Sequence, residues 1–569
     1  MAALQPGSLF YQFARGWRSY VLIALIALVS GFIGATRVPV TDIDEARFAQ
    51  ATRQMIESGD YVRIRLQDAE RNRKPVGIYW LQAASVNVFI GADGKLNTIW
   101  PYRIPSMLGL MLAALATLWG GSILVGQRAA VIGAGLYAAG LLAGIEGMIA
   151  KTDSVMVGFT TLAIAALAHL RIRPERPRML ALVFWAALAC GVMVKGPIPP
   201  LVAGLTLLAL ALWERKAAWM KPLLWWAGPA LALLIVMPWA LAIGAATEGR
   251  FFIEALGADM APKLIGADHS HRAAPGYYLL LLPVLMFPAT YAFPAAARVG
   301  WEALRAPRSD ESHRALRFLI AWALPTLALL ELMPTKLIHY ALPTYPAFAL
   351  MCGAGLMAMR GRQWRSAHPT GLVFFGVAGA LIVALMGFVA TLMPGDFGAD
   401  ARRAISTGLI GVLTIGAAIT GLVMVRRPTT RAAVLVACAL VLSFSLRERL
   451  LPEARAMFAS NEAVAALTRA RLLPRDNQPF WVVGYTQPSF IFLTRTSVRL
   501  ASVDEIAAGA QAGDAAMIEG RVLHDVEDRL AARGLVFAQA DEPVRAIAMG
   551  RGERVALSFG RIETAASDE

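Results

Sequence analysis

The chain has 569 residues, of which 57% are apolar and only 16% charged, against roughly 45–50% and about 25% in a soluble globular protein. These proportions exclude a soluble enzyme of ordinary make-up, a disordered chain and a disulfide scaffold, and they point to a polytopic membrane protein. The net charge of +15 would suit nucleic acid, but its placement along the chain follows membrane topology, so no nucleic-acid partner is expected.

In chain order, Arg15 and Arg18 precede the first apolar run, which reads as an uncleaved signal anchor. Runs long enough to cross a hydrocarbon layer lie near 20–37, 103–125, 129–147, 152–170, 179–194, 197–213, 222–244, 277–299, 318–333, 337–358, 371–393, 404–425 and 432–449, thirteen in all. The apolar stretch 77–90 is too short to cross and reads as a helix on the membrane surface. With the N-terminus inside, most Lys and Arg of the short connectors fall on the inner side, as in Arg171-Ile-Arg-Pro-Glu-Arg-Pro-Arg178. The expected fold class is therefore a polytopic α-helical membrane protein of about thirteen spans. Residues 1–449 form the membrane domain, with a long outer loop at 38–102 carrying juxtamembrane helices. Residues 450–569 return to ordinary composition and read as a small α/β extracytoplasmic domain, with strands at 480–485 and 490–493 and helices at 503–510 and 526–532. The location that follows is a bacterial inner membrane, with the N-terminus cytoplasmic and the C-terminal domain periplasmic. Cys190, Cys352 and Cys438 all sit in apolar runs, so no disulfide framework or Cys-based zinc site is expected.

Ionisable side chains at membrane depth are functional candidates. On the outer face these are Asp44, Glu45 and Arg47, then Arg73 and Lys74, then Glu146, Lys151 and Asp153. Lys195, His269, His271, Arg272, Glu331 and Lys336 follow. Several cations with a few carboxylates suit a phosphate ester, and a carboxylate near a hydroxyl suits a general base. No P-loop and no H-E-x-x-H motif is present. Each element also has a plainer reading. Asp44 and Glu45 fit a helix first turn, Lys74-Pro75 a helix start and Asp153 an N-cap. Lys195 and Lys336 fit interface anchors, and a lone His269-Ser-His271 is a weak metal signal. Transporters place charge near the membrane midplane, whereas these charges gather at one face. A lipid or sugar flippase or transporter is therefore the lesser alternative.

The stretches Asp44-Glu-Ala-Arg-Phe-Ala-Gln50, Gly59-Asp60-Tyr61 and Arg73-Lys74-Pro-Val-Gly-Ile-Tyr-Trp-Leu-Gln82 resemble the first outer loop of bacterial aminoarabinose transferases. More loosely they resemble protein O-mannosyltransferases of the same glycosyltransferase C superfamily. Arg103-Ile-Pro-Ser106, Asp153, Lys195-Gly196, Pro238-Trp239, Lys336-Leu-Ile-His-Tyr340 and Gly484-Tyr-Thr-Gln-Pro-Ser489 follow in the expected order. The resemblance implies an inverting glycosyltransferase. It would move a sugar from undecaprenyl phosphate to an envelope acceptor, lipid A or another lipopolysaccharide component, with protein O-glycosylation as the alternative. It places Asp44, with Glu45 beside it, and Asp153 in catalysis. Arg47, Lys74 and Arg272 would hold the lipid phosphate near Tyr340, with Lys195 and Lys336 as further cations. In the family a Glu precedes the Lys-Pro motif, where this chain has Arg73. No metal or other cofactor is therefore expected, and a divalent cation at His269 and His271 is the alternative.

Overall fold

A computed structural model describes residues 16–91, 94–215, 217–260, 272–359, 362–392, 399–475, 478–549 and 552–565. Among them, nine helices are long and apolar enough to cross a membrane. They are Trp100–Leu124, Asp153–Ile172, Pro177–Lys195, Ala227–Ala246, Glu311–Leu332, Ile338–Ala358, Ser366–Ala390, Ile405–Met424 and Pro428–Glu453. Two bent pairs raise the number to as many as 11. The helices Trp17–Phe32 and Ile198–Glu214 are apolar but shorter. The chain is a multi-pass membrane protein, and the count of thirteen is not confirmed.

The two bent pairs depart from the continuous spans expected at 129–147 and 277–299. Gln127–Ala138 and Leu141–Met148 meet at 56°, and Tyr277–Leu285 and Ala289–Arg305 at 111°. Gly140 lies at the first break and Pro283 and Pro288 flank the second, where proline removes backbone donors. The breaks are neighbours: the Leu141 amide donates to the Phe287 carbonyl at 2.9 Å. Each break frees backbone polar groups in an apolar medium, and here one supplies the other.

The helices Trp100–Leu124 and Asp153–Ile172 pack backbone to backbone. A Cβ at Gly109 would lie 2.6 Å from Val155 Cα, so only glycine allows this approach. The helix Gly77–Phe89 leans on Pro177–Lys195 in the same way, where a Cβ at Gly77 would meet the Met193 carbonyl oxygen at 2.6 Å. That contact sets the first loop against the end of the helix that carries Lys195.

The C-terminal part holds six strands: β3 (Phe480–Val483), β4 (Arg499–Ala501), β5 (Ala515–Glu519), β6 (Leu535–Gln539), β7 (Val544–Ala548) and β8 (Glu553–Thr564). Their order is β4-β3-β5-β8-β6, with β7 also on β8. The β3 strand pairs parallel with β4 and β5, and β8 pairs antiparallel with β5, β6 and β7. Two small strands, β1 (Arg65–Leu66) and β2 (Ala69–Glu70), form a hairpin in the first loop. Residues 490–493, expected as a strand, lie instead in the helix Pro488–Leu493. Proline favours the first helical turn. Phe490, Ile491 and Phe492 are all buried, so no alternation marks the segment as a strand.

This segment docks the sheet onto the first loop. Arg53 donates to the Phe492 and Thr494 carbonyls at 2.8 and 3.1 Å. Gln67 donates to Val498 O at 2.6 Å, and Asn97 to Leu493 O at 2.9 Å. Asp42 accepts from the Ser489 amide at 3.0 Å and from its hydroxyl. Burial raises the Asp42 carboxyl to about 6, against the opposing pull of the Ser489 bonds and Arg47. The folded protein therefore holds this proton more tightly than the unfolded chain does. The stability it confers is present at low pH and is lost as pH rises through that value. We expect Asp42→Asn to raise the melting temperature of the detergent-solubilised protein by a few degrees near pH 7.5, and to leave it little changed near pH 4. Equal shifts at both pH values would show that the Asp42 proton plays no part in docking the sheet.

Candidate functional site

At the end of the helix bundle that carries the sheet, ionisable side chains converge from five segments. The helix Asp44–Ser58 supplies the first. Its residue Glu45 is 1% exposed and pairs with the fully buried Arg103 through Nε at 2.7 Å and Nη2 at 2.9 Å. Glu45 also accepts from the Thr41 amide and hydroxyl and from the Ala150 amide, each at 2.9 Å. Arg103 in turn donates to the carbonyls of Ala35, Val38 and Pro39. The sequence grouped Glu45 with the catalytic acids. The structure places its carboxylate 1% exposed and surrounded by protein donors.

Asp44, one position earlier, points the other way. It is exposed, and it makes no hydrogen bond or ion pair among the described residues. It lies within electrostatic reach of Arg47, Lys151 and His339. Asp44 and Arg47 are three apart on one helix and so share a face.

Beneath Asp44 lies a buried charged cluster. Asp153, at the start of Asp153–Ile172, receives a hydrogen bond from Lys195 and has Lys151 Nζ at 3.8 Å. Lys151 donates to Glu146 at 3.3 Å. His339 lies between the two acids, 3.9 Å from Glu146 and 3.8 Å from Asp153. Lys195 Nζ stands 5.7 Å from the centroid of the Tyr340 ring. Glu146 Oε2 is buried without a hydrogen-bond partner among the described residues. Lys195 ends its helix, where the backbone dipole favours a cation, and Gly196 at φ 63° turns the chain. Ser106 fixes the turn from the other side: it donates to the Lys151 carbonyl at 3.1 Å, and Ser154 donates to the Ser106 carbonyl at 2.8 Å.

Asp44, Asp153, Lys195 and Tyr340 thus gather in one region, with Arg47 beside Asp44. Lys74 is half-buried just ahead of the helix Gly77–Phe89. Arg272 is exposed, and its backbone bridges Thr335. Lys336 does not join the cluster. Its ammonium donates to the carbonyls of Leu330 at 3.2 Å, Glu331 at 2.8 Å and Met333, capping the preceding helix. His269 and His271 lie outside the described residues. Among the described residues no three His, Cys, Asp or Glu side chains are placed to hold a metal ion. Glu146 was a candidate from sequence without an assigned role, and His339 stood there only within the Lys336-Leu-Ile-His-Tyr340 stretch.

The Dolichyl-phosphate-mannose-protein mannosyltransferase family model matches residues 73–241. An undecaprenyl phosphate-alpha-4-amino-4-deoxy-L-arabinose arabinosyl transferase of Pectobacterium atrosepticum is 30% identical over 355 residues, 60% of each chain. One of Pseudomonas aeruginosa is 32% identical over 354 residues, again 60% of each. The chain thus spans about 60% of the length of these curated relatives. Among solved structures, ArnT from Cupriavidus metallidurans bound to undecaprenyl phosphate superposes with a TM-score of 0.75 at 19% identity, covering 96% of this chain and 98% of that one.

The division of labour between adjacent acids is testable. Glu45→Gln leaves Arg103 without its charge partner and is expected to destabilise the protein by about 3–5 kcal/mol, read as a loss of thermal stability in detergent. Asp44→Asn should melt like the unaltered protein. Matching melting temperatures for the two variants would contradict the structural assignment of Glu45.

Proposed function

From a membrane chain that has the glycosyltransferase C fold and resembles aminoarabinose transferases, we propose an inverting glycosyltransferase that uses an undecaprenyl-phosphate-linked sugar. The acceptor is lipid A or another lipopolysaccharide component, and the enzyme is a bacterial inner-membrane protein with its N-terminus cytoplasmic and its sheet domain periplasmic. The observation that carries this reading is Asp44. It is an exposed carboxylate with no hydrogen bond or ion pair among the described residues, within electrostatic reach of Arg47, Lys151 and His339.

In the proposed reaction an acceptor oxygen attacks the anomeric carbon from the face opposite the phosphate. The bond from that carbon to the phosphate oxygen breaks, and undecaprenyl phosphate leaves with the electron pair. Asp44 takes the proton of an acceptor hydroxyl. Lys74, Arg47 and Arg272 meet the developing phosphate charge, which lowers the barrier more than it favours the bound donor. Lys195, held above Tyr340 by Asp153, adds a cation fixed in place before the reaction. Asp153 is thus a positioning residue, committed to two lysines. We propose that no metal is needed, because Arg71 and Arg73 gather with Arg47, the neighbour of Asp44, and a cation there would be repelled.

The test is transfer from radiolabelled undecaprenyl-phosphate sugars to lipid A in detergent. Asp44→Asn and Lys74→Ala should each lower turnover by roughly 10²-fold or more while leaving the protein folded. Full activity in both variants would refute the assignment. Chelation should leave transfer unchanged, and a loss restored by zinc would count against metal independence.

A further inference from the structure

Next to Arg47 the first loop and Glu254 line an open cavity of about 290 Å³, with Glu70, Arg71, Asn72 and Arg73 among its walls. Three guanidiniums face two carboxylates. Glu70 is already matched: it accepts from Asn72 at 3.2 Å and pairs with Arg250 at 3.5 Å. That leaves Glu254 as the carboxylate set against Arg47, Arg71 and Arg73. Asp42 and Asp44 act on Arg47 from its own helix side.

The arginines are short of acceptors. Arg71 Nε is buried without a hydrogen-bond partner among the described residues, while its guanidinium lies 5.5 Å from the centroid of the Phe48 ring. Burial, and then the neighbouring Arg71, pull the Arg47 guanidinium below its ordinary value. Buried donors without partners and crowded like charges are both unfavourable, and an anion in the cavity would relieve both.

We propose that this cavity receives the carboxylate of the transferred sugar, so that the donor is an undecaprenyl-phosphate hexuronosyl lipid rather than a neutral or aminated one. The inference rests on the transferase reading above. A single guanidinium matches a carboxylate in two parallel hydrogen bonds, and a second one adds charge. Arg47, which keeps the phosphate, lines one wall of the cavity and lies three helical residues from Asp44, a rise of roughly 5 Å, so a carboxylate held by Arg71 and Arg73 stays near the reacting centre. A sugar bearing an ammonium group would instead bring a fourth cation against the three.

The experiment offers three donors to the purified full-length protein: undecaprenyl phosphate carrying galacturonose, glucose or 4-amino-4-deoxyarabinose. Binding and transfer are measured for each, with phosphorylated and dephosphorylated lipid A as acceptors. The uronosyl donor should be used in preference with both acceptors. In Arg73→Glu and Arg71→Gln its advantage over the glucosyl donor should fall by roughly tenfold or more, the size expected for a lost charge-assisted bond. Transfer without that preference, or a preference that vanishes with the acceptor phosphate, overturns the anion site and leaves the transferase reading intact. Selective binding of the uronosyl lipid with no transfer from any donor overturns the transferase reading and leaves the anion site standing. Failure to bind or transfer any donor overturns both.

Discussion

The buried Glu45–Arg103 pair is the constraint on which the rest of the site depends. Arg103 reaches three carbonyls at 35–39, and Glu45 reaches Thr41 and Ala150. Two opposite charges therefore tie together the end of the first apolar helix, the start of the loop helix, the helix Trp100–Leu124 and the turn before Asp153. Buried ions persist only when their hydrogen-bonding capacity is filled, and here the backbone fills it. Asp44 inherits its position because it precedes Glu45, and Asp153 inherits its own because it follows Ala150 by three residues. The exposed acid and the buried one are placed by a pair whose charges are spent on each other and on the backbone.

The membrane fold was legible because long apolar runs have few soluble interpretations. The breaks in two of those runs were not, since glycine and proline occur in unbroken membrane helices as well. The site was partly legible. Asp44 and Glu45 are adjacent, and neighbours on a helix point about 100° apart. Sequence alone does not say which of the two faces the core. Lys195 and Lys336 likewise both follow apolar helices. One finds a carboxylate and an aromatic ring, and the other turns back onto carbonyls. That choice is made by tertiary packing. His339 became visible only when the bundle brought Glu146 and Asp153 to either side of it.

The sheet shapes the site without supplying the cluster's charged groups. Its docking segment runs from Gln487 to Val498 and grips the first loop through Arg53, Gln67, Asn97 and Asp42. Asp44 and Arg47 lie on the same loop helix as Arg53. The loop is thus held between a membrane bundle and the C-terminal sheet, and its charged residues are presented by two supports distant in sequence. The close approaches at Gly77 and Gly109 serve the same end, because they bring helices near enough for short polar side chains to reach across.

The two interrupted helices have a bearing on how the chain is made. Leu141 finds its acceptor only in Phe287, nearly one hundred and fifty positions later. During synthesis the earlier segment enters the bilayer long before its counterpart has been translated. Until then its free amide must stay near water or bind a temporary acceptor. The first break is therefore sealed only once the second half of the bundle is in place.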